Sequence, residues 1–227
     1  MRVADVRKIF VERLSASEFV TDKTGVKTIE IVGASFVADE ETIFGAVNRD
    51  YVEREIAWYE SESLYVKDIP GGPPKIWEQV ASSEGKINSN YGWCCFSPDN
   101  HSQIVHVWRE LVANPNSRRA IAIYTRPTMW YDYKTNGMSD FMCTNAVQYV
   151  VREGHLHAIV QMRSNDVVFG YRNDRAWQKY MLDYVRSAYN RHVDPIDRVE
   201  LGNIHWQVGS LHVYERHFNM IDPGWKE

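Results

Sequence analysis

What this chain of 227 residues lacks narrows its possibilities first. It has only three cysteines, two of them adjacent at Cys94 and Cys95, too few for a disulfide framework. No apolar run approaches the ~20 residues needed to cross a bilayer, and no leader-like segment stands out, so a cytosolic protein is expected. No CxxC, HxxxH or similar ligand spacing occurs, which argues against a structural or catalytic metal. Lys and Arg never run longer than a pair and the net charge is −4, so the basic face of a dedicated nucleic-acid binder is missing. A small anionic ligand stays open, because a few well-placed arginines suffice for one phosphate.

What is present supports a substantial core: 44% of residues are hydrophobic and 13% aromatic. One domain spanning residues 1–227 is expected, since the sharpest break, Asp68 to Lys75, is too short to divide it. Apolar spacing predicts helices over 3–17, 43–60 and 101–113, and another from Asp174, as its N-cap, to about 191. Strand patterns cover 28–37, 119–125, 144–151, 156–162 and 204–214. Helices and strands mix without strict βαβ alternation, so the fold class is α+β.

The richest stretch runs from Cys143 to Ser164. Glu153-Gly154 reads as a two-residue hairpin turn, which would set Cys143 opposite Ser164 and Thr144 opposite Arg163. A guanidinium beside a thiol favours the thiolate, the nucleophilic form. Taken alone, an intracellular cysteine is more often a small buried hydrophobe, and Cys94 and Cys95 are read that way. The Arg-Ser segment reverses those odds for Cys143.

Cys143 with Gln148, then Arg163-Ser164-Asn165-Asp166 and Gly170, resembles the nucleophile and phosphate/folate segments of thymidylate synthases. The resemblance continues in family order through Asp22-Lys23-Thr24-Gly25, Glu55-Ile56-Ala57-Trp58, Ile76-Trp77, Asn90-Tyr91-Gly92, Ser117-Arg118-Arg119 and His212-Val213-Tyr214, covering nearly the whole chain. It implies a thymidylate-synthase-like fold with a mixed sheet, flanking helices and a sheet-mediated homodimer. It also implies covalent catalysis: Cys143 adds to C6 of a pyrimidine nucleotide, and C5 takes a one-carbon unit from 5,10-methylenetetrahydrofolate. By the same resemblance Glu55 orders water and moves protons, and Tyr91 sits near the nucleophile. Arg163, Ser164 and Lys23 hold the 5′-phosphate, joined by Arg118 and Arg119 from the partner subunit. His212 and Tyr214 meet the ribose, and Trp77, Asp166 and Gly170 line the folate.

Two departures point to a branch of the family. Asp174 stands where synthases carry Asn, and a carboxyl can accept from the cytosine amino group and, when protonated, donate to N3. Thr144 replaces the His after the nucleophile. Together with stretches such as GMSDFMCTN and MRSNDVVFG, which are similar to the T-even bacteriophage hydroxymethylating branch, these changes imply dCMP as substrate and water as the final reactant. Host cytoplasm is then the expected location. The chain closes on Trp225-Lys226-Glu227 without the family's apolar tail, which implies a site more open to water if that terminus is natural. A dUMP-directed hydroxymethylase, a thymidylate synthase, or a non-catalytic component of a nucleotide-supply complex are the alternatives. A protonated Asp174 would also pair with uracil, so the base is not settled by residue type alone.

Overall fold

The computed structural model describes residues 1–225; Lys226 and Glu227, and with them the expectation for the closing tail, lie outside the described residues. Val3, Val6, Phe10 and Leu14 recur at helical spacing, and all four are buried along α1 (Val3–Ser15). The short β1 (Val20–Thr21) and long β2 (Lys27–Val37) follow, then α2 (Arg49–Glu60), α3 (Lys75–Val80), α4 (Tyr91–Phe96) and α5 (Gln103–Ala113). After β3 (Ile121–Ile123) and α6 (Met129–Asp132) come β4 (Thr144–Arg152), β5 (His155–Asp166), α7 (Gly170–Asn190), β6 (Glu200–Tyr214) and α8 (Phe218–Ile221).

The strands form one six-stranded sheet in the order β1-β2-β6-β5-β4-β3. The β5–β6 pair is parallel and the others are antiparallel, so the sheet is mixed and the class is α+β. Helix α7 packs on β5 and β6, and α1 on β2. The opposite face carries Val32, Gln161, Gln207 and Ile123, all exposed in the single chain.

Two helix starts differ from the sequence expectation. Helix α2 begins at Arg49 rather than 43, because the Asn48 side chain accepts from Tyr51 N–H at 3.1 Å and caps it there. Gly45, at φ +73°, keeps the preceding segment out of the helix. Helix α7 begins at Gly170, so Asp174 lies inside it and is not its cap. Its N-cap is Phe169, and Asp166 holds the segment leading into the helix, its Oδ1 accepting from the N–H groups of Val168, Phe169 and Gly170 at 3.0, 2.6 and 3.3 Å.

The Glu153-Gly154 turn has both residues at positive φ, 52° and 74°, the signature of a type I′ hairpin. Its register holds from Arg152↔His155 to Ala146↔Gln161, and then a bulge at Asn145 intervenes. Thr144 therefore faces Met162 rather than Arg163, and Cys143 does not face Ser164. The Asn145 carbonyl, turned out of the ladder, accepts from Tyr124 and Thr125 N–H at 2.9 and 3.2 Å.

The disturbance spreads across the sheet. Ala158, Val160 and Met162 are buried on β5, but the next buried position is Asn165; on β6 the buried set runs Ile204, Trp206, Val208 and then Leu211, and on β2 Ile29, Ile31 and then Ala34. The phase flips at Gly33, Gly209 and Arg163. Gly33 has φ +68°, and a Cβ on Gly209 would lie 2.8 Å from the Arg163 carbonyl oxygen. This stacked kink presents Arg163 at the surface and Asn165 inside.

Candidate active site

Cys143 sits immediately before β4, and Arg163 holds it in place. The Arg163 backbone N–H donates to the Cys143 carbonyl at 2.9 Å. Its guanidinium donates to the Met142 carbonyl at 3.0 Å and the Phe141 carbonyl at 2.6 Å, and lies 3.6 Å from the thiol sulfur. The charge does not win, however. Burial pushes the Cys143 thiol up to about 11; Arg163 pulls it down, while Asp174 and Asp140 push it further up. Arg163 thus favours the thiolate as expected, but desolvation outweighs one guanidinium, and the Cys143 side chain is a thiol at neutral pH.

Two carboxyls from different helices reach the same place. Glu55 lies on the buried face of α2 with Trp58 and Tyr59, not on a solvated one. Tyr51, one turn earlier, donates to Glu55 Oε1 at 2.6 Å, and the Trp77 indole donates to the Tyr51 hydroxyl at 2.9 Å. Burial raises Glu55 to about 7 against these two donors. Asp174, on α7, is raised to about 8, by burial first and the Glu55 charge second, against Asn165 and Tyr91, which favour its ionised form. At neutral pH Glu55 is poised to exchange a proton, and Asp174 holds one. A neutral carboxyl both donates and accepts, which is the pairing that cytosine N3 and its amino group offer.

Tyr91 is positioned by its neighbours in sequence. Asn90 caps α4 through Trp93 N–H and donates to the carbonyls of Trp58 and Ser63. Gly92 lets α4 touch α2, since a Cβ there would fall 1.8 Å from the Tyr59 carbonyl oxygen. Tyr91 is consequently buried beside Asp174 and Cys143, with its phenol held well above its usual range by burial and then by those charges.

The remaining expected residues divide into two sets. Ser164 pairs with Ser210 and Asp166 with His212 across β5 and β6. His212 and Tyr214 have ring centroids 5.0 Å apart, and the exposed turn bearing Lys23 joins β1 to β2, whose Thr28 pairs with Tyr214. Asp166 spends Oδ1 on the backbone N–H groups of 168–170, but its buried Oδ2 has no partner among the described residues, which suits an N–H group from a ligand such as a folate ring. Gly170 is needed for close packing: a Cβ would come within 3.1 Å of Asn165 Nδ2 and 3.8 Å of Asp174 Oδ2. Arg118 and Arg119 are not brought to this centre in their own chain. The Arg118 carbonyl accepts from Gln148 at 2.8 Å, and Arg119 bridges Glu110 at 3.1 Å from an exposed loop before β3. Cys94 and Cys95 are buried, with thiols pushed up by burial, as befits packing residues.

Three contributors escaped the sequence reading. Tyr51 is one, linking Trp77 to Glu55. Asp140 is another: its buried carboxylate accepts from Asn88 N–H at 2.7 Å and from Ser89 N–H and hydroxyl at 2.8 and 2.7 Å, joining the Tyr91 segment to the Cys143 segment. Asn165 is the third, donating to Asp174 at 2.7 Å. The i, i+4 spacing of Tyr51 and Glu55 was the one visible signal.

The thymidylate synthase family model matches residues 7–224. The chain belongs to the thymidylate synthase family. Deoxycytidylate 5-hydroxymethyltransferases of Enterobacteria phages T6 and T4 are each 59% identical to it over 226 residues, covering 100% of this chain and 92% of theirs. A thymidylate synthase of Francisella tularensis subsp. holarctica is 24% identical over 216 residues, 88% of this chain and 76% of that one. In fold, the chain is similar to the thermostable thymidylate synthase A of Bacillus subtilis, with a TM-score of 0.70, 19% identity, and coverage of 96% of this chain and 82% of that one. The mixed sheet with its flanking helices is thus the fold of the family. Among the described residues, no helix is long and apolar enough to cross a membrane.

Proposed function

We infer that this chain is a deoxycytidylate 5-hydroxymethyltransferase, converting dCMP, 5,10-methylenetetrahydrofolate and water into 5-hydroxymethyl-dCMP and tetrahydrofolate. The observation that carries it is the 59% identity over the full chain to phage enzymes named for that activity. The raised Asp174 carboxyl beside Cys143 supports it, being able to donate to cytosine N3 and accept from its amino group.

5,10-Methylenetetrahydrofolate supplies the one-carbon unit when bound, and Trp77, Asp166 and Gly170 are the residues suited to hold it. Cys143 loses its proton as sulfur bonds to C6, which makes C5 a carbon nucleophile. Asp174 donates to N3 and accepts from the amino group, drawing charge off the ring as C6 is attacked. C5 then bonds to that one-carbon unit and tetrahydrofolate leaves, with Tyr91 standing beside Cys143 to assist removal of the C5 proton. Glu55, held by Tyr51, orients water and takes its proton as oxygen bonds to the new exocyclic carbon. The Cys143–C6 bond then breaks and restores the aromatic ring.

Among the described residues Arg163 Nη1 has no partner and is available for a phosphate, while Nε and Nη2 hold the 141–143 segment. Ser164, Lys23, His212 and Tyr214 complete the nucleotide side. Arg118 and Arg119 serve a second copy docked on the uncovered sheet face, giving a homodimer; Arg119 exchanges Glu110 for the partner's phosphate. The enzyme works in the cytoplasm, of the host if phage-encoded. The test is turnover with dCMP and dUMP while absorbance follows folate. Preference for dCMP with tetrahydrofolate as product is expected, and Cys143→Ser should stop turnover yet retain nucleotide binding. Dihydrofolate release, or preference for dUMP, contradicts the assignment.

A further inference from the structure

The Asp174 carboxyl is held by a residue that plays no part in the chemistry above. Asn165 is 4% exposed, on the interior side of the kink in β5. Its Nδ2 donates to Asp174 Oδ2 at 2.7 Å, and its Oδ1 accepts from the Trp206 indole at 3.2 Å. Trp206 is fully buried on β6. Gly170 closes the other side, where a Cβ would lie 3.1 Å from the amide nitrogen, tighter than an ordinary contact.

We propose that Asn165, oriented by Trp206, is a specificity-positioning residue that fixes which Asp174 oxygen carries the proton and so makes the acid read cytosine rather than uracil. An indole N–H only donates, so the Asn165 oxygen must face Trp206 and its amino group must face Asp174. Asp174 Oδ2 is thereby committed to accepting. A proton placed on Oδ2 would oppose the amide N–H and leave a buried donor unmade, so the proton resides on Oδ1. A carboxyl free to move its proton between oxygens matches either pyrimidine: donor to N3 and acceptor from the cytosine amino group, or donor to O4 and acceptor from uracil N3–H. The locked acid keeps one pattern. The surrounding groups cannot substitute for the lock. Glu55 on α2 and Asp166 at the end of β5 are acids that only favour the proton, and Tyr91 on α4 is a hydroxyl able to donate or accept.

This proposal rests on the cytosine assignment, and one experiment separates them. Binding of dCMP and dUMP to the full-length wild type, Asn165→Leu, Asn165→Ser and Trp206→Phe is measured by calorimetry from pH 6 to 9. The wild type should prefer dCMP. Both Asn165 variants should lose at least ten-fold of that preference, with Trp206→Phe intermediate because its amide is free to turn. Removing the donor to Asp174 should also move the midpoint of the pH dependence of dCMP binding upward in Asn165→Leu, which a packing defect would not do. Equal weakening of both nucleotides with an unmoved midpoint overturns the lock and leaves the cytosine assignment standing. A wild type with no preference for dCMP overturns the cytosine assignment, and the lock with it. Trp206→Phe is dispensable should it fail to fold, since the two Asn165 variants decide the matter.

Discussion

The Arg163 guanidinium stands 3.6 Å from the Cys143 sulfur, and the thiol nonetheless stays protonated, because burial and the neighbouring Asp174 and Asp140 outweigh it. A thiol held up to about 11 should be alkylated slowly at pH 7. The iodoacetamide rate at Cys143 should keep rising through pH 9, and Arg163→Met should lower it about ten-fold at each pH by removing the one favourable charge. A rate that levels off near pH 7 would show a thiolate at rest.

The two raised carboxyls give the pH profile of kcat/KM two limbs. Glu55 must lose its proton to act as a base, so activity should rise through about 7; Asp174 must keep its proton, so activity should fall above about 8. The limbs lie close, so the apparent values belong to the pair. Glu55→Gln should cut kcat at least 100-fold, in the range of a lost general base, and abolish the rising limb. A flat profile from pH 6 to 9 would remove both roles.

The fold was legible where alternation and helical spacing were undisturbed: α1, α5 and the hairpin from Ala146 to Gln161 all follow their apolar pattern. It became illegible at the kink. Alternation from Leu156 places Ser164 inside, whereas the bulge at Asn145 and the phase flip at Arg163 bring Asn165 inside instead. No residue-type rule announces a bulge shared by neighbouring strands, and Gly33 and Gly209 read as ordinary strand glycines until their pairing is seen. Of the candidate site, Cys143, Glu55, Tyr91 and Asp174 were named through family order, and the fold brings them near one another. The electrostatics of the site were not legible, because the Cys143 and Glu55 shifts come from burial, which the linear sequence does not display. Asp174 looked like an N-cap by residue type, but the helix starts a turn earlier, at Gly170, with Phe169 in the cap position.

Asp174→Asn should alter stability in a pH-dependent way. In the unfolded chain the carboxyl ionises near about 4, whereas in the fold it holds its proton to about 8. Between those values unfolding releases a proton, so this group's contribution is full at low pH and is lost as pH rises. Asparagine cannot ionise and escapes that loss. Its Tm advantage over wild type, by scanning calorimetry, should therefore grow by several degrees from pH 5 to pH 8.5. An advantage that shrinks over that range would contradict the raised value.

The same substitution should invert base choice. An amide that donates to O4 and accepts from N3–H suits uracil, so the dCMP over dUMP ratio of kcat/KM should fall at least 100-fold in Asp174→Asn. Such a factor corresponds to about 2.7 kcal/mol, within the range for one matched and one mismatched buried hydrogen bond. Steady-state kinetics with each nucleotide measures it. An unchanged ratio would place recognition elsewhere.

The central claim, that water completes the reaction on a cytosine nucleotide, is tested most directly by running the reaction in oxygen-18 water with dCMP and 5,10-methylenetetrahydrofolate and weighing the nucleotide product. The account predicts 5-hydroxymethyl-dCMP carrying one heavy oxygen and tetrahydrofolate released in equal amount. A 5-methyl product, or a hydroxymethyl group without the label, would contradict it.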